Sequence, residues 1–167
     1  MHGSNGNECC RVERRRAGYA SAMSQPSDPV HEALARYSAA AYDKNVDAFV
    51  SLYADDVHVF DMWNSWELRG VGSWREMAAG WFSSLGNERV VVSARDVVSN
   101  VTGELALGHA TLTYTAVSAD DRELRSLDNR ITLALRRVGN AWKIFHEHTS
   151  GPIDHKTMRG VIKRGGS

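Results

Sequence analysis

Cysteine is nearly absent from this 167-residue chain, which has only Cys9 and Cys10, adjacent in a polar leader. Neither a disulfide framework nor a spaced zinc-ligand set can be built from that pair. An excess of one charge is missing too, since twenty basic side chains balance twenty acidic ones. That balance excludes the basic footprint of a nucleic-acid binder. No apolar run approaches the roughly 20 residues of a membrane span. Internal repeats and low-complexity stretches are also lacking. What remains is a chain of one-domain size, able to bury a real core and expected in the reducing cytoplasm.

The two ends differ from the middle. Residues 1–26 carry Arg11 and Arg14-Arg15-Arg16 but no apolar periodicity. They also lack the continuous apolar region of about 7–15 residues that a secretory signal needs. They read as a disordered tail, with Met23 as an alternative start. Lys156 to Ser167, basic and ending in glycines, reads as a second solvated tail, which leaves a domain over residues 27–155.

Within that domain the periodicities change once. Asp28-Pro29 offers a cap and a proline at the first helical position. Val30, Ala33, Leu34, Tyr37 and Ala41 then recur at helical spacing. Asn45 can cap a shorter helix with Val46, Phe49, Val50 and Tyr53 inside, and 57–61 reads as a short strand. Ser73 and Glu76 have capping-box spacing and open a third helix that buries Trp74, Met77, Trp81 and Leu85, with Gly86 as its stop. Strand-like runs follow at about 88–99, 104–117, 123–137 and 141–149. Helices first and strands afterwards predict an α+β domain, a cone of three N-terminal helices packed on a curved, mostly antiparallel sheet and enclosing a pocket. Residues 104–117 and 123–137 are apolar on both faces, so a homodimer packed through the outer sheet face is expected.

The last hairpin carries candidate chemistry. Across the Val138-Gly139-Asn140 turn, strand alternation puts Trp142, Ile144, His146 and His148 on one face and Lys143, Phe145, Glu147 and Thr149 on the other. Two imidazoles at the end of an apolar strand face suggest a cavity wall. With Asp61, and with His109 as a further candidate, they could form a 2-His-1-carboxylate metal set. The reading preferred here has no metal and no cofactor, with neutral imidazoles as hydrogen-bonding or acid/base groups.

Ala54-Asp55-Asp56, Phe60-Asp61, Arg69-Gly70, Trp81 and the segment Trp142 to Pro152 give the chain a resemblance over about residues 30–155. It resembles the nuclear transport factor 2-like superfamily, and within it the ketosteroid-isomerase homologues and SnoaL-like proteins. Ketosteroid isomerase is itself a worked case of a carboxylate base acting opposite a tyrosine and a protonated acid. The resemblance implies an oxyanion tyrosine at Tyr37, in Arg36-Tyr37-Ser38-Ala39-Ala40. It implies a base at Asp61 and a second acid at Asp128. The His146-Glu147-His148 ending departs from the steroid isomerases, so proton transfer on another apolar carbonyl or polyketide-like ligand is expected, or else a non-catalytic binding module. The expected site is one apolar cavity holding Asp61, Tyr37, Asp128 and His146. Trp63, Trp81, Arg130, Tyr53 and His148 would contact the small hydrophobic ligand.

Overall fold

A computed structural model describes residues 28–164, and the expected N-terminal tail lies outside them. Asp28 caps α1 (Pro29–Tyr42), where its Oδ1 accepts from the N–H groups of Val30 at 2.9 Å and His31 at 3.1 Å. Asn45 caps α2 (Val46–Val50) through the Ala48 N–H. Tyr53 does not extend α2 but opens β1 (Tyr53–Phe60), and the two-residue β2 (Leu68–Arg69) leads into α3 (Gly70–Ser84). The third helix therefore starts before Ser73. Gly70, at φ +78°, turns the chain directly out of β2, and Arg69 stands at the cap position without a side-chain bond to the helix.

Four long strands follow: β3 (Arg89–Thr102), β4 (Leu105–Val117), β5 (Glu123–Val138) and β6 (Ala141–Ser150). A small hairpin of β7 (Ile153–Asp154) and β8 (Arg159–Gly160) comes after them. The main sheet runs β2-β1-β6-β5-β4-β3, parallel between β1 and β6 and antiparallel elsewhere. Register shifts between Arg95 and Val98 in β3 and at Phe145 in β6, opposite Ala134 and Leu135 of β5, mark bulges, which bend and twist long strands. The result is an α+β fold with a curved, mostly antiparallel sheet and helices against its inner face.

Phe49 of α2 is fully buried and centres the core. Its ring lies 4.8 Å from Tyr37, 5.5 Å from Phe82, 5.7 Å from Tyr53 and 6.0 Å from Trp74. Such tilted and edge-on pairs each add about 0.5–1.5 kcal/mol beyond area burial. Gly108 on β4 lets α1 approach closely, since a Cβ there would stand 2.4 Å from Val30 Cγ1.

The C-terminal residues correct the tail reading as far as they are described. β6 ends at Ser150, opposite Arg130, so the earlier part of β5 lacks a neighbour on that side. Residues 161–164 return to fill the gap: the Asp128 N–H donates to the Ile162 carbonyl at 2.8 Å, and the Val161 N–H to the Pro152 carbonyl at 2.7 Å. An unpaired backbone N–H is costly, and this pairing satisfies one.

Candidate functional site

The inner face of the sheet holds a polar layer. Leu135, Leu133, Ile131 and Asn129 of β5 are buried there, with Ile144, Glu147 and Thr149 of β6 beside them. Glu147, 1% exposed, accepts from the Tyr53 hydroxyl at 2.7 Å through Oε2, while its Oε1 has no partner among the described residues. Asp61, which follows β1, accepts from the Thr149 hydroxyl at 2.7 Å, and Thr149 in turn accepts from the Met62 N–H at 2.9 Å. Tyr37 on α1 shares a 3.0 Å hydrogen bond with Tyr114 on β4. The indole N–H of Trp74 and the amide oxygen of Asn129 are also buried without partners among the described residues.

Burial sets the electrostatics of this layer. It raises Asp61 above the usual carboxylate range, against hydrogen bonds from Thr149 and the backbone of Met62 and Trp63. Glu147 is pushed up to about 8 by burial, with the charge of Asp61 adding to the rise and the Tyr53 hydroxyl opposing it. A group with that value is mostly protonated at neutral pH. Tyr37, Tyr53 and Tyr114 are all raised, foremost by burial, and stay neutral donors. Asp61, Tyr114 and Trp81 are partly exposed, whereas Tyr37, Tyr53 and Glu147 are buried behind them. The Trp81 and Tyr114 rings are 6.1 Å apart.

Tyr37, Tyr53, Asp61 and Trp81 thus belong to the inner side, but the expected four-residue convergence does not form. His146 and His148 lie on the outer face. The turn at Gly139 sets Leu135 opposite Ile144, yet Ala134 then pairs with His146, because Phe145 is bulged out of register. One extra residue swaps the faces, so Glu147 rather than His146 stands beside Leu133. His146 Nδ1 lies 2.8 Å from the His58 carbonyl oxygen, and its ring packs edge-on to Phe60. With Asp61 on the opposite side of the sheet, the 2-His-1-carboxylate set is split, and His109 also faces outward, paired with Thr132.

Asp128 and Arg130 are on the outer face as well, because the inner residue of that stretch is Asn129. Asp128 accepts from the Thr113 hydroxyl at 2.7 Å and from the Arg164 backbone N–H at 2.8 Å, with Arg95 3.5 Å away. Those donors, the Thr113 hydroxyl foremost, hold it below the usual range, so it is an ionised anchor and not a protonated acid. Trp63 is 45% exposed on the loop after Asp61. Glu147 and Tyr114 are the inner-face groups that sequence reasoning missed as site residues. The alternating buried residues of β5 point to Tyr114 through strand register, but only the bulge reveals Glu147.

The SnoaL-like domain family matches residues 30–154. No protein of curated function matches the chain. Among solved structures, a Pseudomonas putida protein described as NTF2-like and of unknown function superposes with a TM-score of 0.71. It is 23% identical, over 82% of this chain and 94% of that one. The protein Aln2 from a Streptomyces species gives a TM-score of 0.64 at 12% identity, over 72% and 86% of the two chains. A dehydratase candidate of the NTF2-like family from Streptomyces avermitilis gives 0.59 at 20% identity, over 72% and 92%. At these identities the structures share the fold with this chain.

Proposed function

The chain belongs to the SnoaL-like domain family of the nuclear transport factor 2-like superfamily, and within it we propose a proton-transfer enzyme acting on a small apolar carbonyl compound, with Asp61 as the base. The observation that carries this reading is a partly exposed carboxyl group, Asp61, held by the Thr149 hydroxyl at 2.7 Å on the same sheet face as the Tyr114 hydroxyl, with its proton affinity raised by burial. A carboxyl group whose proton affinity is raised by desolvation, beside neutral hydroxyl donors, is the arrangement acid/base chemistry needs. Asp61 removes a proton from the carbon beside the carbonyl, and the resulting carboxylic acid returns it to another carbon of the conjugated system. The charge that develops on the carbonyl oxygen is met by the Tyr114 hydroxyl. Tyr37 is a positioning residue that acts through its hydrogen bond to Tyr114. Trp81 offers the ligand an apolar wall.

The test is deuterium uptake from heavy water into a panel of cyclic ketones and 1,3-diketones, followed by proton NMR. The wild-type chain should accelerate exchange at the carbon beside the carbonyl. Asp61→Asn should lower that rate by about 10²–10⁴-fold with the fold intact, and Tyr114→Phe should lower it less. A non-catalytic binding module is the second reading, favoured by the fact that Tyr37–Tyr114 and Tyr53–Glu147 already satisfy one another. Ligand binding that survives in Asp61→Asn, with no exchange by the wild type, would establish it instead.

A further inference from the structure

The outer face holds a cavity of about 430 Å³ that the proton-transfer reading leaves unused. Its floor is set by strand register, because Thr111 of β4 and Ser150 of β6 both pair with Arg130 of β5. Side chains at register partners point to the same face, and neighbouring strands lie about 4.8 Å apart. Arg130 therefore stands between two hydroxyls. Pro152 and Val161 give the cavity an apolar side, and the returning segment brings Lys163 and Arg164 to its rim.

Charge pairing separates Arg130 from its neighbours. The cavity is lined by three cations, Arg130, Lys163 and Arg164, and two carboxylates, Asp96 and Asp128. Asp96 is engaged by the Arg164 guanidinium at 2.6 Å. Asp128 is taken by the Thr113 hydroxyl and the Arg164 backbone. Lys163 donates to the Ser126 hydroxyl. Arg130 has no hydrogen-bond or carboxylate partner among the described residues. Its planar fork with two flanking hydroxyl donors suits a carboxylate or phosphate group, which accepts two parallel N–H bonds.

We propose that this cavity is a second ligand site, in which Arg130, Thr111 and Ser150 hold the oxyanion group of a small organic acid whose carbon body lies against Pro152 and Val161. A volume of this size is in the range of small-molecule sites. The folded C-terminal segment is part of the site and not an appendage, since it supplies both an apolar side and a cationic rim.

Titration calorimetry on the full chain tests this, with succinate and inorganic phosphate in separate arms to distinguish carboxylate from phosphate as the preferred group. At least one should bind saturably at one per chain with a Kd of about 1 mM or tighter, and Arg130→Gln should weaken it at least ~10-fold. Arg130→Lys should fall between, since it keeps the charge and loses the fork. Asp61→Asn should bind as the wild type does, which separates this site from the inner one. Absence of saturable binding by both anions overturns the proposal, as does an Arg130→Gln variant of unchanged affinity. So does a variant that binds no anion differently but changes the oligomeric mass, which would make Arg130 an ion-pair partner for a second copy.

Discussion

A carboxyl group sealed into an apolar layer ties ionisation to folding, and Glu147 is placed to do so. Its folded value of about 8 lies above the ordinary value of 4.5 for an unperturbed glutamate. Between those values the native state holds a proton that the unfolded chain has released. The stability linked to this group is complete below the unfolded value and is lost as pH rises through the folded one. Glu147→Gln removes the titration while its amide oxygen can still accept from Tyr53. In thermal unfolding from about pH 5 to about pH 9 the variant should show a flatter profile, and at the alkaline end exceed the wild type by on the order of a few kcal/mol. Parallel profiles for the two proteins would mean that Glu147 ionises freely in the fold.

Single elements show where sequence was a sufficient guide and where it was not. Helix and strand order was legible because caps, turn glycines and periodicity all act locally: Asp28 and Asn45 cap where expected, and Gly139 turns β5 into β6. Face assignment at the end of β6 was not, because the Phe145 bulge depends on packing against both β5 and β1 and leaves no mark in the alternation itself. The motif that placed Asp128 inside failed by one residue for a related reason, since Asn129 holds the inner position. Gly108 is a case in which the element's requirement is steric. Its missing Cβ would meet both Cγ atoms of Val30, at 2.4 and 2.8 Å, and the Val98 carbonyl oxygen at 2.9 Å. Gly108→Ala should destabilise the chain by about 1–3 kcal/mol in urea unfolding, the usual cost of overpacking. Because Val30 is the main obstruction, adding Val30→Ala should recover part of that loss, giving a double variant more stable than the sum of the two single effects.

At the scale of the whole molecule, the helices cover one face of the sheet and leave the other to be accounted for. Its register residues are mixed. Leu105 and Leu107 of β4 are 56% and 53% exposed and Val98 of β3 is 44% exposed, with His146 and His148 of β6 and His58 and Phe60 of β1 on the far side of β5. A sheet with apolar side chains on both faces is ordinarily covered on both. A second copy of the chain is our proposal for the cover, since both partners would then bring the same leucines and rings to a self-complementary contact. No helix among the described residues is long and apolar enough to cross a membrane, so a bilayer-spanning helix does not explain this surface. Light scattering on the eluting peak at tens of micromolar should return about twice the 18.5 kDa chain mass. Leu107→Lys would place a charge at the middle of the contact, opposite Ala134 and one strand from His146, and should return the monomer mass without loss of helix or strand signal. A wild-type monomer at that concentration would leave the outer face free and refute the dimer.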